Sequence, residues 1–256
     1  MMDLQRANGW KRIAAWVLDI MLLCVLTVGV AYGFSAALGY DAHLQTVQEG
    51  YEKYSLQYGV DLDMDQETYD AMSDAEKADY QAKIAEVEKA LNEDEAVKYA
   101  YNMCVSYSVL IITFSLLLAT VLLEFVLPLI LKNGQTVGKK CFSLGVVRVD
   151  GVKVSAVQMF ARTVLGKYAV ETMIPVYVII MIYWGLMGIG GTIALLILLV
   201  IQIVCIAINR DRLAIHDRFA GTVVVDIASQ KIFENTEELI AYTNRIHAER
   251  AKHQPY

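Results

Sequence analysis

Cysteine is scarce and poorly placed for chemistry. Cys24, Cys104, Cys141 and Cys205 form no C-x-x-C pair and two lie inside apolar runs, which points away from disulfides and from a metal site. Catalytic signatures are missing too. No Ser/His, Cys/His or H-E-x-x-H arrangement falls within the apolar runs, so an enzyme is not the leading reading, and no cofactor or nucleic-acid partner is expected. Positive charge is nearly absent from one stretch. Residues 41–100 hold 16 Asp/Glu against 5 Lys/Arg, which leaves the rest of the chain basic although the formal charge of the whole is −6.

What the chain has in excess is apolar surface. A hydrophobic content of 56% and a mean hydropathy of +0.41 exceed what soluble domains carry, and the bilayer is the solvent such a composition fits. Ile13 to Leu38 is apolar apart from Asp19, longer than the ~20 residues that cross a hydrocarbon core. A cleaved signal peptide fits this run poorly, because signal cores run only ~7–15 residues and rarely hold an aspartate. Val105 to Leu131 repeats the pattern around Glu124 and carries Pro128 near its end. Thr163 to Asn209 is too long for one helix, and Gly185, Gly188, Gly190 and Gly191 mark a turn within it.

These runs predict an all-α polytopic membrane protein with four transmembrane helices, 13–38, 105–131, 168–184 and 191–208, the last two joined by a short outer turn at 185–190. The remaining parts are a cytoplasmic N-terminus (1–12), an acidic extracytoplasmic helical insertion (39–104), a cytoplasmic loop (132–167) and a cytoplasmic C-terminal segment (209–256). Orientation follows from basic residues beside the spans. Arg6, Lys11 and Arg12 flank the start, Lys132, Lys139, Lys140, Arg148, Lys153, Arg162 and Lys167 fill the middle, and Arg210, Arg212 and Arg218 follow the last run. All three clusters share one side if there are four spans, so both termini are placed in the cytoplasm at the cell membrane.

The acidic insertion has helical periodicity. Leu44, Val47, Tyr51, Tyr54 and Tyr58 recur at spacings of three and four before Gly59, and Ser73-Asp-Ala-Glu76 has the capping-box form ahead of Tyr80, Ile84, Val87 and Leu91. The two stripes are placed to face each other; binding of a partner protein is the alternative use of this segment. Asp61, Asp63 and Asp65 alternate like the opening of a calcium loop, but Gln66 stands where glycine is needed and Met72 where glutamate is needed. In the middle loop, Gly134-Gln-Thr-Val-Gly138-Lys139-Lys140 is one residue short of a phosphate-binding loop and lacks the Ser/Thr after its lysine. Leu144 to Val154 alternates around Asp150-Gly151 and predicts a β-hairpin, to which Thr222–Val225 adds a third strand to make a small cytoplasmic sheet.

Ionisable residues inside the apolar runs are the functional candidates. Arg12, Ala15, Trp16 and Asp19 lie on one stripe of the first helix. Asp19 and Glu124 are predicted at similar depth, each costing about 2.5–3.5 kcal/mol at a membrane centre unless partnered. Arg12, Arg162 and Lys167 are the candidate partners. Lys167 and Glu171 add a further pair one turn apart, followed by Pro175, which cannot donate to the Glu171 carbonyl. Two readings stay open: a site that binds a monovalent cation or relays a proton, and a set of salt bridges that fixes helix order and binds nothing.

Three segments together resemble the RDD family of membrane proteins, named for one arginine and two aspartates. They are Arg12-Ile-Ala-Ala-Trp-Val-Leu-Asp19, Gly134-Gln-Thr-Val-Gly-Lys139, and Arg212-Leu-Ala-Ile-His-Asp217-Arg-Phe-Ala-Gly-Thr222. The resemblance implies that Arg12, Asp19 and Asp217 are the named residues. It also implies an interface built from Gly134, Thr136, Gly138, Lys139, Arg212, His216, Asp217, Gly221 and Thr222, and a transport-related role, in some members monovalent cation/proton antiport. A transporter of four spans is expected to act as a homo-oligomer in the lipid bilayer. The competing reading is a non-catalytic scaffold that recruits a partner through the acidic segment. Cysteine labelling of intact cells tests the sidedness: position 65 is expected to react with an impermeant reagent and position 151 to be protected, and the reverse pattern would overturn the topology.

Overall fold

The computed structural model describes residues 7–131, 133–208, 214–229 and 231–253. Its helices are α1 (Gly9–Leu38), α2 (Tyr40–Tyr58), α3 (Gln66–Ala71), α4 (Asp74–Glu93), α5 (Glu95–Leu131), α6 (Val137–Cys141), α7 (Ala156–Tyr183), α8 (Ile189–Ile208), α9 (Ile215–Ala220) and α10 (Thr236–His253). Two strands, β1 (Leu144–Arg148) and β2 (Thr222–Asp226), complete the fold. Helices α1, α5 and α7 are long and apolar enough to cross a bilayer, while the apolar stretch of α8 among the described residues, Ile189–Ile201, is shorter. Their outer faces carry Val25, Val28, Tyr32 and Ile130 unpacked, a surface that suits lipid rather than water. The mostly helical membrane architecture with a small sheet is therefore present, and the length criterion gives three spans.

The chain divides into two units, residues 1–27 with 116–256, and residues 28–115. In the second, α2 stops at Gly59, whose φ of 60° lets its N–H reach the Ser55 carbonyl, the left-handed cap that glycine takes without strain. Ser73 opens α4 with both halves of a capping box, its hydroxyl accepting from the Glu76 N–H and its own N–H donating to the Glu76 carboxylate. Val60, Val87, Leu91 and Val97 form the core, flanked by Tyr54, Tyr58, Tyr80 and Ile84. The α2 stripe meets α4 only over its last two turns, since Tyr51 is exposed. Asp61 and Asp65 spend their carboxylates on local backbone N–H groups, of Asp63 and Thr68 respectively.

In the first unit, β1 pairs antiparallel with β2 over Leu144↔Asp226 to Arg148↔Thr222. Both faces are covered. Leu144, Val146 and Val224 pack with Ala7 and Ala15, while Val147, Val223 and Val225 pack with Ile232. The predicted hairpin is present only in short form. The Asp150-Gly151 turn closes with the Arg148 N–H donating to the Val152 carbonyl and the bridge Val147↔Lys153, while the next β1 amide on that edge, Val146, donates to the Asn133 carbonyl and the outer edge of the arm bonds Phe233. Thr222–Asp226 is thus the main partner of β1 rather than a third strand. Helix α7 also starts well before the apolar run around 168, since Ser155 and Gln158 form a capping box that launches it at Ala156.

Asp94 ties the acidic unit together. Its carboxylate accepts from the Tyr54 hydroxyl (2.9 Å), the Lys53 ammonium (3.3 Å) and the Ala96 and Val97 N–H groups that open α5. The Tyr54 hydroxyl, then the Val97 N–H and Lys53, hold its carboxyl below the usual aspartate range. The stability it contributes is present above the unfolded aspartate pKa and is lost as pH falls through the folded one. Asp94→Ala is expected to speed amide exchange severalfold at the end of α2 and the start of α5 at neutral pH, and the difference from wild type should shrink in acid. Unchanged exchange would show that the cap is dispensable.

Candidate functional site

The ionisable residues of the first unit gather at the N-terminal half of α1, the end of α5, α6, the first half of α7 and α9. Two helix segments there are wider than an α-helix, with i→i+5 bonding over Val121–Val126, which holds Glu124, and Ala161–Met173, which holds Arg162, Lys167 and Glu171. The widening decides what can meet. Nine residues of α-helix make 2.5 turns and would set Arg162 and Glu171 on opposite faces, whereas the same nine make roughly two turns of the wider helix. Arg162 and Glu171 consequently both reach His216.

Asp217, with no exposed surface, is the anionic centre. It is ion-paired to Arg162 through Oδ1, accepts from the Thr222 hydroxyl at 3.0 Å, and faces the Arg12 guanidinium at 3.9 Å. Arg162 in turn donates to Thr222 Oγ1 at 2.8 Å, so Thr222 links acid and base. The other oxygen, Oδ2, has no hydrogen-bond donor among the described residues and depends on the field of Arg12. His216 lies beside it, with Nδ1 at 2.8 Å from the Glu171 carboxylate and Nε2 at 3.1 Å from Arg162 Nη2. An arginine can only donate, so Nε2 accepts and Nδ1 carries the hydrogen bonded to Glu171. This is a neutral imidazole with its tautomer set by its neighbours. The His216 N–H also donates to Glu171, at 2.9 Å.

Asp19 occupies a different niche. Its Oδ2 accepts from the Thr136 hydroxyl at 2.5 Å, its Oδ1 from the Gly138 N–H at 2.8 Å, and Lys139 Nζ lies 3.8 Å away. The segment that resembles a phosphate loop thus holds a carboxylate of the same chain at the start of α6, where Thr136 is the N-cap. Gly138 makes this approach possible, since a Cβ there would run into the Ala15 carbonyl. Glu124 is ion-paired to Lys167, and its backbone carbonyl accepts from the buried Thr163 hydroxyl at 2.9 Å. The Lys139 ammonium is lowered to about 8, chiefly by burial and then by the charge of Arg162.

Several expectations change. Among the described residues, Asp19 pairs with Lys139 and Thr136 and not with an arginine, while Arg12 and Arg162 go to Asp217. Trp16 turns away from the Ala15–Asp19 face and is 54% exposed. His216 and Asp217 pack on α7 rather than on Gly134–Lys140, and Gly166 admits them, since a Cβ at 166 would collide with the His216 backbone and Cβ. Gly134 packs separately, against Val146 and Met159, and Gly221 ends α9 ahead of Thr222. Arg212, with Arg6, Lys132 and Arg210, lies outside the described residues. Thr163 and Gly166 escaped sequence reasoning. Gly166 carried a signal, as the one glycine between Gly151 and Gly185.

With Arg12, Asp19 and Asp217 at the centre of these contacts, a model of the RDD family matches residues 6–221. The chain belongs to the RDD family. No curated protein and no solved structure matches it. In this RDD protein the arginine and the two aspartates form two niches, one of Arg12 with Asp217 and one around Asp19.

His216 generates a pH test. Burial, and then the charge of Arg162, lower its imidazole from 6.5 to about 4. The unfolded chain therefore binds a proton that the folded one does not, and stability is full above the unfolded pKa and falls as pH drops from 6.5 toward 4. His216→Gln keeps a donor toward Glu171 and an acceptor toward Arg162 but cannot titrate. Its melting temperature is expected to fall less than that of wild type between about pH 6.5 and pH 5, and parallel profiles would refute the assignment.

Proposed function

We propose that this RDD protein exchanges a monovalent cation for a proton across the cell membrane, as a multi-pass protein of four spans with cytoplasmic termini, and that it is a transporter rather than an enzyme. One observation carries the reading: three of the four carboxylates in the cluster are paired with groups that can lose or lack positive charge. Asp19 has Lys139, Glu124 has Lys167 and Glu171 has neutral His216. Among the described residues, Asp217 alone is within ion-pair distance of an arginine.

The distinction matters because arginine does not deprotonate in proteins, while lysine and histidine do so when buried. A carboxylate held by arginine is a fixed anchor. A carboxylate held by lysine or neutral histidine is released when its partner swings away or gives up its proton, and it then needs a cation or a proton of its own. Glu124 and Glu171, both in candidate spans, are the assigned exchange carboxylates, and Asp19 is assigned to set the position of α6 against α1. Few spans are available to enclose a pathway, which favours a homo-oligomer.

A scaffold reading is favoured by a different fact: every carboxylate in the cluster already has a partner. Among the described residues, four acids and four bases, Arg12, Lys139, Arg162 and Lys167, then balance as structural glue, and the acidic helical segment is left to bind a protein partner. Flux and stability together separate the two. In liposomes, Glu124→Gln and Glu171→Gln are expected to abolish cation-driven proton flux with little loss of melting temperature, since the Lys167 side chain keeps partial access to solvent and His216 carries no charge to strand. Asp217→Asn should destabilise the protein by about 3–5 kcal/mol, the cost of a buried charge stripped of its partner. A wild type without flux for any monovalent cation would shift the assignment to the scaffold, as would glutamine variants that retain full flux.

A further inference from the structure

A cleft of about 320 Å³ opens where α5 ends, between Pro128 and Leu129, Asn133 in the following turn, Met159 on α7, and the charged pair Lys153 and Glu234. None of these residues belongs to the charge cluster. Lys153 and Glu234 are ion-paired with each other, and Glu234 is the more exposed of the two, its side chain 69% accessible. Pro128, Leu129, Val154 and Met159 give the wall an apolar part, and Lys153 and Glu234 bring one charge of each sign to it. The apolar surface continues outward, because Leu129, Ile130, Val157 and Phe160 are all exposed, and the edge-to-face contact of Phe125 with Phe160 holds α5 and α7 together beside it.

This combination selects a ligand class. A simple anion would be drawn to Lys153 and repelled by Glu234, and a simple cation would meet the reverse. A group that bears both a phosphate and an ammonium satisfies both, replacing one internal ion pair by two charge-assisted ones. The exposed apolar side chains call for a hydrocarbon continuation of the same molecule. The place agrees, since the apolar run of α5 ends at Leu131, and the end of a span is where headgroups lie.

We propose that this cleft binds the headgroup of a phosphoethanolamine lipid, with the phosphate on Lys153, the ammonium on Glu234, and acyl chains along Leu129, Ile130, Val157 and Phe160. The site is independent of any transport activity. The full chain, purified in mild detergent and exposed to equal amounts of a phosphoethanolamine lipid and a phosphoglycerol lipid, is analysed by native mass spectrometry. Wild type is expected to retain the first over the second by roughly fivefold or more, and Lys153→Gln and Glu234→Gln each to erase that preference. The pair is partly exposed, so both variants should melt close to wild type, and either one alone suffices if the other folds poorly. Lys231→Gln, which removes the neighbouring surface pair of Lys231 with Glu238, should leave the preference intact. Equal retention of both lipids by wild type would overturn the site, as would a preference that survives both substitutions or disappears with Lys231→Gln. Free phosphoethanolamine that displaces the lipid at matched concentration would overturn the lipid assignment in favour of a soluble ligand.

Discussion

The first unit depends on holding the fully buried Asp217 carboxylate against close positive charge. Removing a carboxylate from water costs several kcal/mol even after the protein relaxes, and only close positive charge with satisfied hydrogen bonds recovers that cost. Arg162 supplies the charge, Thr222 the bridging hydroxyl and Arg12 the field on the second oxygen. Each comes from a different element: α7, β2 and α1. One buried anion therefore sets three elements against each other, which no purely apolar contact in this unit does with comparable directionality.

That demand explains the irregular helix. Arg162 must reach Asp217 while Glu171 reaches His216, and these two partners are adjacent residues on α9. A regular α-helix would turn one of the two away. The wider winding of Ala161–Met173 puts both on the side of α9, and Gly166 between them lets the α9 backbone come close. The α-helical spacing of Lys167 and Glu171 did not become a pair, since Lys167 goes to Glu124 and Glu171 to His216, and that spacing hid the relation of Arg162 to Glu171. Departures from α-geometry of this kind recur at functional sites.

What could be read from the sequence was whatever is written in local pattern. The apolar runs, the Ser73 box, the Gly59 stop and the β-rich Thr222–Val225 stretch each carry their signal within a few residues. Pairings across the chain were less legible. The link of Glu124 to Lys167 was inferable from depth, but that of Asp19 to Thr136 and Gly138 was not, because a backbone N–H leaves no mark in a sequence. The hairpin at Asp150-Gly151 is short for a related reason. Its turn chemistry was right, yet the Asn133 carbonyl takes the Val146 N–H that a longer hairpin would use.

The division of partners is the feature that a purely structural account explains least. If the cluster existed only to hold helices, arginine would suit every position, since its fork satisfies a carboxylate twice over and never loses its charge. Among the described residues, arginine is ion-paired to Asp217 alone. Lysine and a neutral histidine serve the three carboxylates contributed by α1, α5 and α7, the three helices with the length to cross a bilayer. The carboxylate on the short helix α9 is thus fixed, and those on the long helices are held by partners whose charge depends on their surroundings. The pair of Arg162 with Asp217 supplies a rigid reference that fixes α9 against α7.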